Sequence, residues 1–187
     1  RQALMYPNVI EYLVAMIGVL RAGYVVVNIN PLYTARELEA QLLDSGADVL
    51  VLMENFAHTY EQIAASAPVS KVIVSSPGEL LGLKGHVINW VARNVKKLVP
   101  KWQIAHIGFK QALAIGQKRA FHKPEIDLND IAFLQYTGGT TGISKGAVLL
   151  HRNILSNVAQ IEMWLNPGLK KADEQLQFLC ALPMTHI

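Results

Sequence analysis

The stretch YVVVNINPLYTARELEAQLLDSGADVLVLM, residues 24–53, predicts a strand, a helix and a second strand. Its opening YVVV is short, apolar and β-branched, as expected of a buried strand. Thr34 and Glu37 have the spacing of a capping box, in which the two residues satisfy each other's free backbone N–H groups. Gly46 ends the helix, and Asp48–Met53 forms the second strand. The unit indicates an α/β fold with a parallel sheet, because strands joined through a helix run in the same direction.

The same alternation continues on both sides of this unit. Apolar residues repeat at helical spacing from Val9 to Leu20, and Gly23 follows as a helix end. The further predicted segments are helix 58–66, strand 71–75, strand 131–136, strand 146–150, helix 153–165 and strand 176–182. The predicted fold class is therefore α/β, with parallel βαβ units followed by a strand, a glycine-rich loop, a strand and a helix.

Composition limits the class of protein. The 187 residues are 51% hydrophobic and 17% charged, which is typical of a globular domain and not of a disordered chain. The apolar run 12–20 is too short to span a bilayer. The single cysteine, Cys180, excludes an internal disulfide and is expected to be a buried core thiol. The ends at Arg1 and Ile187 suggest a piece of a longer protein.

A basic block separates the two ordered halves of the sequence. No acidic residue occurs between Glu79 and Glu125, while nine basic residues do. Apolar side chains from Val87 to Val99 fall on one helical face, which predicts a basic amphipathic helix. Either this helix packs on its own domain or segment 84–101 contacts an anionic membrane. Nucleic acid is not expected as a partner, since no base-reading motif accompanies the charge. The basic residues are Lys84, Arg93, Lys96, Lys97, Lys101, Lys110, Lys118, Arg119 and Lys123.

The loop YTGGTTGISKG, residues 136–146, has the composition of a phosphate site. Its glycines allow backbone N–H groups to converge on an anion, and its hydroxyls and lysine add donors and charge. It differs from a Walker loop, because Gly146 follows Lys145 where serine or threonine is needed. A strand, not a helix, follows the lysine, so the loop is predicted to join two strands. It also differs from the dinucleotide-binding glycine pattern.

With Ala147 included, this loop resembles the signature of the adenylate-forming enzymes: acyl-CoA synthetases, luciferases and nonribosomal peptide adenylation domains. LRAG, VVVNINPLYTARELEAQLLDSGA, NFAHT, LVPKW, FLQYTGGTTG, LLHRN and LPMTHI resemble the bacterial long-chain fatty acid–CoA ligases. Ser144 stands where the adenylate-forming family usually has a proline, and in this it is similar to the bacterial long-chain ligases. Thr185 departs from the family, which usually has an aromatic residue before the histidine. The resemblance implies that 1–187 is part of the large N-terminal AMP-binding domain. Its segments are a βαβ-type segment 1–75, a basic helical insertion 76–127 and a phosphate-loop segment 128–187.

The resemblance implies a function and a set of site residues. ATP and a long-chain fatty acid would form an acyl-adenylate and pyrophosphate, and coenzyme A would then displace AMP. Lys145 and Thr137 would be catalytic, with the Thr137 hydroxyl near Mg²⁺ and His186 near the acyl-adenylate. The implied location is the cytoplasm, with peripheral contact at the inner face of the membrane, and a homodimer is left open. The implied nucleotide-binding residues are Tyr136, Thr137, Gly138, Gly139, Thr140, Thr141, Gly142, Ile143, Ser144, Lys145, Gly146 and Ala147.

Other functions stay open at this point. The family's Thr-Glu, Thr-Gly-Asp and late lysine motifs do not occur in these 187 residues, so the isolated chain is expected to be inactive. A non-catalytic nucleotide- or membrane-binding module could carry the same loop. An acyl-AMP ligase that passes the acyl group to a carrier protein is a second alternative. An NTPase is a weaker third one.

Overall fold

The strand at the beginning of the chain lies near the centre of a seven-stranded sheet with the order β5-β4-β3-β1-β2-β6-β7. A computed structural model describes residues 1–137, 145–165, 179 and 181–184. All neighbouring strands are parallel except β6 and β7, which form an antiparallel hairpin. The strands are β1 Gln2–Met5, β2 Val26–Ile29, β3 Val49–Met53, β4 Lys71–Ser75, β5 Ile107–Gly108, β6 Ile131–Thr137 and β7 Lys145–Leu150.

Helices cover both faces of this sheet. Tyr12 from α1 and Phe109 from α5 pack in one apolar cluster, and Leu38 from α2 and Tyr60 from α3 pack in the other. The predicted mostly parallel α/β fold is therefore confirmed. The helices are α1 Ile10–Arg21, α2 Ala35–Ser45, α3 Ala57–Glu61, α4 Gly82–Trp90, α5 Phe109–Gln117 and α6 His151–Leu165. A 3₁₀ turn, Glu54–Phe56, precedes α3, and a π-helical turn, Val91–Val95, follows α4.

The α2 unit forms as its sequence predicts. The Glu37 carboxylate accepts hydrogen bonds from the Thr34 backbone N–H at 2.8 Å and from the Thr34 hydroxyl at 2.7 Å. In return, the Glu37 N–H donates to the Thr34 hydroxyl oxygen at 3.4 Å. These bonds, the one from the backbone N–H above all, lower the pKa of Glu37. Gly46 ends the helix with a left-handed φ of 58°, a conformation that glycine adopts without steric cost.

Several predicted boundaries were wrong. No strand is predicted at Gln2–Met5, where β1 lies, and β2 begins two residues after the predicted start at Tyr24. The α-helical part of α3 covers only Ala57–Glu61, because residues 62–66 continue as turns in which Ile63 and Ser66 bond three residues back, to Tyr60 and Ile63. In the predicted strand 176–182, none of the described residues 179, 181 and 182 is in a strand. The predictions for Gly138–Ser144, Cys180, Thr185 and His186 lie outside the described residues.

Candidate active site

The hairpin of β6 and β7 brings the two predicted catalytic residues together. Thr137 ends β6, Lys145 begins β7, and the two face each other as register partners. Both are exposed at the end of the hairpin. The predicted strand–loop–strand arrangement is therefore confirmed on both sides of the loop. A hydroxyl and an ammonium group placed side by side at the base of a glycine-rich loop suit the oxygens of a phosphate chain.

Tyr136 fixes the base of the loop to a helix on the neighbouring layer. Its hydroxyl donates to the Asp44 carboxylate of α2 at 2.5 Å. Burial, and then the hydrogen bond to Asp44, raise the pKa of Tyr136 well above its usual range, so the phenol stays protonated and remains a donor. Gly146 lies against the ring, where an added Cβ would be 3.1 Å from the Tyr136 Cζ. Tyr136 therefore anchors the hairpin through its side chain.

A chain of buried polar side chains runs under the hairpin. The Tyr12 hydroxyl of α1 donates to Asn28 Oδ1 at 3.1 Å, and Asn28 Nδ2 donates to Gln135 Oε1 at 2.9 Å. Asn28 and Gln135 are register partners on β2 and β6. Because side chains alternate along a strand, Gln135 lies on the same face of the sheet as Thr137. The chain thus connects α1 and β2 to the strand that carries the phosphate loop.

Residues 182–184 lie over the same part of the sheet. Asn8 Nδ2 donates to the Leu182 carbonyl, and the Met184 N–H donates to Asn8 Oδ1, both at 2.7 Å. Tyr12 also contacts this segment, with its hydroxyl 3.3 Å from the Met184 carbonyl oxygen. No local sequence pattern predicts these contacts, because the partners are more than 170 positions apart.

The basic segment differs from its prediction in two respects. The helix does not run to Val99: it ends at the π-helical turn, after which Lys97 has a positive φ of 50°. Arg93 is not a freely available cation, because it makes a bidentate ion pair with the buried Glu54, with a shortest distance of 2.8 Å.

The rest of the segment leaves its apolar side chains uncovered within the described residues. Leu83 is 87% exposed, Val87 is 64% exposed and Trp90 is 59% exposed. The helix is held instead by Asn89, which accepts from the Gly78 N–H and donates to the Ser76 hydroxyl, each at 2.8 Å. Ala92 of the π-helical turn is buried, so among the described residues the apolar face packs on its own domain only in part.

Two features were sought among the described residues, a metal-binding cluster and a membrane-spanning helix. Residues 1–137, 145–165, 179 and 181–184 contain no group of three or more His, Cys, Asp or Glu side chains that could hold a metal ion. Over the same ranges, no helix has the length and apolar character needed to cross a membrane.

The whole chain, residues 1–187, matches the family described as AMP-binding enzyme. The chain belongs to this family. It is 49% identical to a long-chain-fatty-acid–CoA ligase of Escherichia coli O6:H1 over 189 aligned residues, which cover 100% of this chain and 33% of the relative. The identity to a long-chain-fatty-acid–CoA ligase of Haemophilus influenzae is 46%, over 100% of this chain and 34% of the relative. The chain thus spans about a third of the length of the curated relatives it matches.

A solved structure supports the fold of this chain. The crystal structure of a long-chain-fatty-acid-CoA ligase from Archaeoglobus fulgidus matches it with a TM-score of 0.68 and 24% identity. The match covers 99% of this chain and 31% of that one. At this identity the likeness establishes the architecture alone, which agrees with the mostly parallel sheet and its terminal hairpin.

Proposed function

We propose that the full-length protein activates a long-chain fatty acid with ATP and then transfers the acyl group to coenzyme A. The observation that carries the proposal is the pairing of Thr137 with Lys145 across the hairpin, in a chain whose relatives are named long-chain-fatty-acid–CoA ligases. In the first step, a fatty-acid carboxylate oxygen bonds to the α-phosphorus of ATP and the bond to pyrophosphate breaks. In the second step, the coenzyme A thiol loses its proton and its sulfur bonds to the acyl carbon, releasing AMP.

The site residues act on the charge that develops on the leaving pyrophosphate. Lys145 supplies a positive charge, and the residues of the loop 136–147 supply hydroxyl and backbone N–H donors. Fixed donors of this kind stabilise a developing charge without having to reorganise during the reaction. We propose in addition that His186 contacts the acyl-adenylate.

The described residues also fit a magnesium ion that accompanies ATP. Mg²⁺ is usually held by one or two protein groups together with substrate phosphates and water, so a larger cluster of acidic side chains is not needed. We propose that Thr137 supplies the protein hydroxyl near this ion. The ion, when bound, would neutralise phosphate charge.

The first experiment measures ATP–pyrophosphate exchange with the full-length protein. Lys145→Ala and Thr137→Ala should each raise the barrier to adenylation by about 2–4 kcal/mol, because each removes a contact to developing charge. The control is Lys118→Ala, which removes an exposed lysine after the end of α5. Melting curves are recorded for all variants. Unchanged exchange in both site variants, at an unchanged melting temperature, would remove these residues from the mechanism.

A second experiment identifies the acyl substrate and the acceptor. Exchange is compared for hexadecanoate and acetate, and acyl transfer is compared for coenzyme A and a carrier-protein thiol. The proposal requires the long-chain acid to be preferred and coenzyme A to be acylated. Transfer to the carrier protein alone indicates an acyl-AMP ligase. Nucleotide or vesicle binding without exchange indicates a non-catalytic module, and ATP hydrolysis without any acid indicates an NTPase.

We also propose that segment 84–101 contacts the anionic inner face of the membrane, where long-chain fatty acids partition. Three observations favour this: the exposed apolar side chains of α4, the exposed lysines around them, and the absence of acidic residues between 79 and 125. Each lysine close to an anionic surface contributes about 1 kcal/mol to binding, so a few of them give reversible attachment that salt weakens.

The test is co-sedimentation of the full-length protein with vesicles of anionic or neutral lipid. The variant changes Lys84, Lys96 and Lys97 to glutamine and leaves Arg93 in place, because Arg93 pairs with Glu54. The matched control removes the same charge elsewhere in the basic block, at Lys110, Lys118 and Lys123. Loss of anionic-vesicle binding in the first triple variant, but not in the second, supports the proposal. Equal binding to both lipids overturns it.

A further inference from the structure

Asn8 joins two parts of the chain that are far apart in sequence. It follows β1, and its side-chain amide pairs with the backbone of Leu182 and Met184 through two hydrogen bonds of 2.7 Å. An asparagine side chain offers an N–H donor and a C=O acceptor, as a peptide group does. Asn8 therefore binds this segment in the way that a neighbouring strand would, by accepting from one residue and donating to another.

Tyr12 extends this attachment to the strand that carries the phosphate loop. Its hydroxyl faces the Met184 carbonyl at 3.3 Å and Asn28 Oδ1 at 3.1 Å, and Asn28 donates to Gln135. Burial raises the pKa of Tyr12, so the hydroxyl keeps its proton and can serve as a donor to these acceptors. The Met184 side chain packs in the same apolar cluster as Phe133 of β6.

We propose that Asn8 and Tyr12 are positioning residues for adenylation, which fix residues 182–184 as one wall of the site beside Thr137. The proposal rests on the proposed function. Asn8 is itself exposed, so its side chain adds nothing to the core, whereas its hydrogen bonds hold Met184 against the apolar cluster of Phe133. Melting curves therefore separate a positioning role from a structural one. The two bonds of Asn8 determine where a distant segment lies relative to the hairpin. A small displacement of such a segment is enough to lower the rate of a reaction that depends on alignment.

The experiment uses Asn8→Ala in the full-length protein, with ATP–pyrophosphate exchange and hexadecanoate as the substrate. We expect kcat for exchange to fall about tenfold to a hundredfold at an unchanged melting temperature. We also expect faster amide hydrogen exchange in the peptide that contains Met184, because its N–H loses its acceptor. The matched control is Asn129→Ala, which removes an exposed asparagine whose side chain bonds two residues back, to Asp127. It should leave both measurements unchanged.

A second variant separates the two hydrogen bonds. Asn8→Asp keeps an acceptor for the Met184 N–H but places a carboxylate oxygen against the Leu182 carbonyl. It should retain amide protection at Met184 while still lowering kcat. Tyr12→Phe should lower kcat as well, whereas its control Tyr24→Phe, a tyrosine that is 54% exposed, should not.

The possible results distinguish this inference from the proposed function. If the wild-type protein shows no exchange with any fatty acid, the proposed function fails and the inference fails with it. If the wild type is active and Asn8→Ala retains kcat within about twofold, the inference alone is overturned. A fall in kcat that is matched by a fall in melting temperature for both Asn8 variants also overturns it, since that pattern indicates a structural role.

Discussion

Helices α2 and α6 have similar apolar stripes but opposite surroundings. In α2, Leu38 is fully buried and Leu42 is 3% exposed. In α6, Leu155, Val158 and Ile161 are each at least half exposed, and no residue of the helix is buried. A stripe of apolar residues therefore specifies a helix, but burial depends on which surface is present to receive it. Helix α2 packs against the sheet formed by β1–β4, whereas the described residues provide little apolar surface on which α6 could pack.

The largest expected effect comes from removing one leucine from each of these helices. Leu38→Ala should cost about 2–5 kcal/mol of unfolding free energy, because it removes a fully buried side chain and leaves a cavity. Leu155→Ala, at a position that is 55% exposed, should change stability by about 0.5 kcal/mol or less. Urea unfolding of the 187-residue chain measures both. Equal losses of unfolding free energy would contradict the comparison, because they would mean that Leu155 of α6 is buried as Leu38 of α2 is.

Helix α4 is intermediate between α2 and α6. It exposes apolar side chains, but its backbone lies close to the rest of the domain at one glycine, Gly85. A Cβ added to Gly85 would lie 1.8 Å from the Gly78 carbonyl oxygen. Gly85→Ala should therefore force the helix away and cost about 1–3 kcal/mol, as overpacking does. The control is Gly116→Ala in α5, where a Cβ meets nothing within 4 Å and alanine favours the helix. Stability is measured by urea unfolding, and a neutral Gly85→Ala would show that α4 is not held by this contact.

The capping box of α2 should contribute less than its buried leucines. Thr34→Ala removes both the hydroxyl that accepts from the Glu37 N–H and the hydroxyl donor to the Glu37 carboxylate. Loss of an N-cap hydroxyl costs about 1 kcal/mol. Thr34→Ser keeps the hydroxyl and is the matched control. In thermal unfolding, Thr34→Ala should have a lower melting temperature than Thr34→Ser. Equal melting temperatures would mean that the capping hydroxyl does not stabilise α2 and that burial alone does.

The smallest effect is a change in the pH dependence of stability. The pKa of Glu37 is lowered in the folded protein, so its stabilising contribution is present above the unfolded pKa, which is about 4.3. That contribution is lost as the pH falls through the folded pKa. Glu37→Gln should therefore flatten the loss of stability below about pH 5, measured as the urea midpoint against pH. Glu39→Gln removes the same charge on the same helix without altering the capping box. Parallel curves for wild type and Glu37→Gln would contradict the assignment.

Local features of the fold were predictable from sequence, and contacts between distant residues were not. The Thr34–Glu37 capping box and the hairpin around residues 136–146 depend on neighbours along the chain, so the local residue types predict them. The pairing of Asn28 with Gln135 and that of Arg93 with Glu54 join residues 107 and 39 positions apart. No local pattern encodes such pairs. The strand Gln2–Met5 was missed because its four residues give no clear alternation of apolar and polar side chains.

The order of the strands has a consequence for how the chain folds. The edge of β2 that pairs with β6 is unpaired until β6 has been synthesised, about 100 positions later in the chain. The paired residues Asn28 and Gln135 are 107 positions apart. A ribosome adds roughly 5–20 residues per second, so this edge is exposed for several seconds during synthesis. Unpaired strand edges are templates for association with other chains. The open edge of β2 is therefore the surface that we expect a chaperone to protect during synthesis, and the site assembles only after it closes.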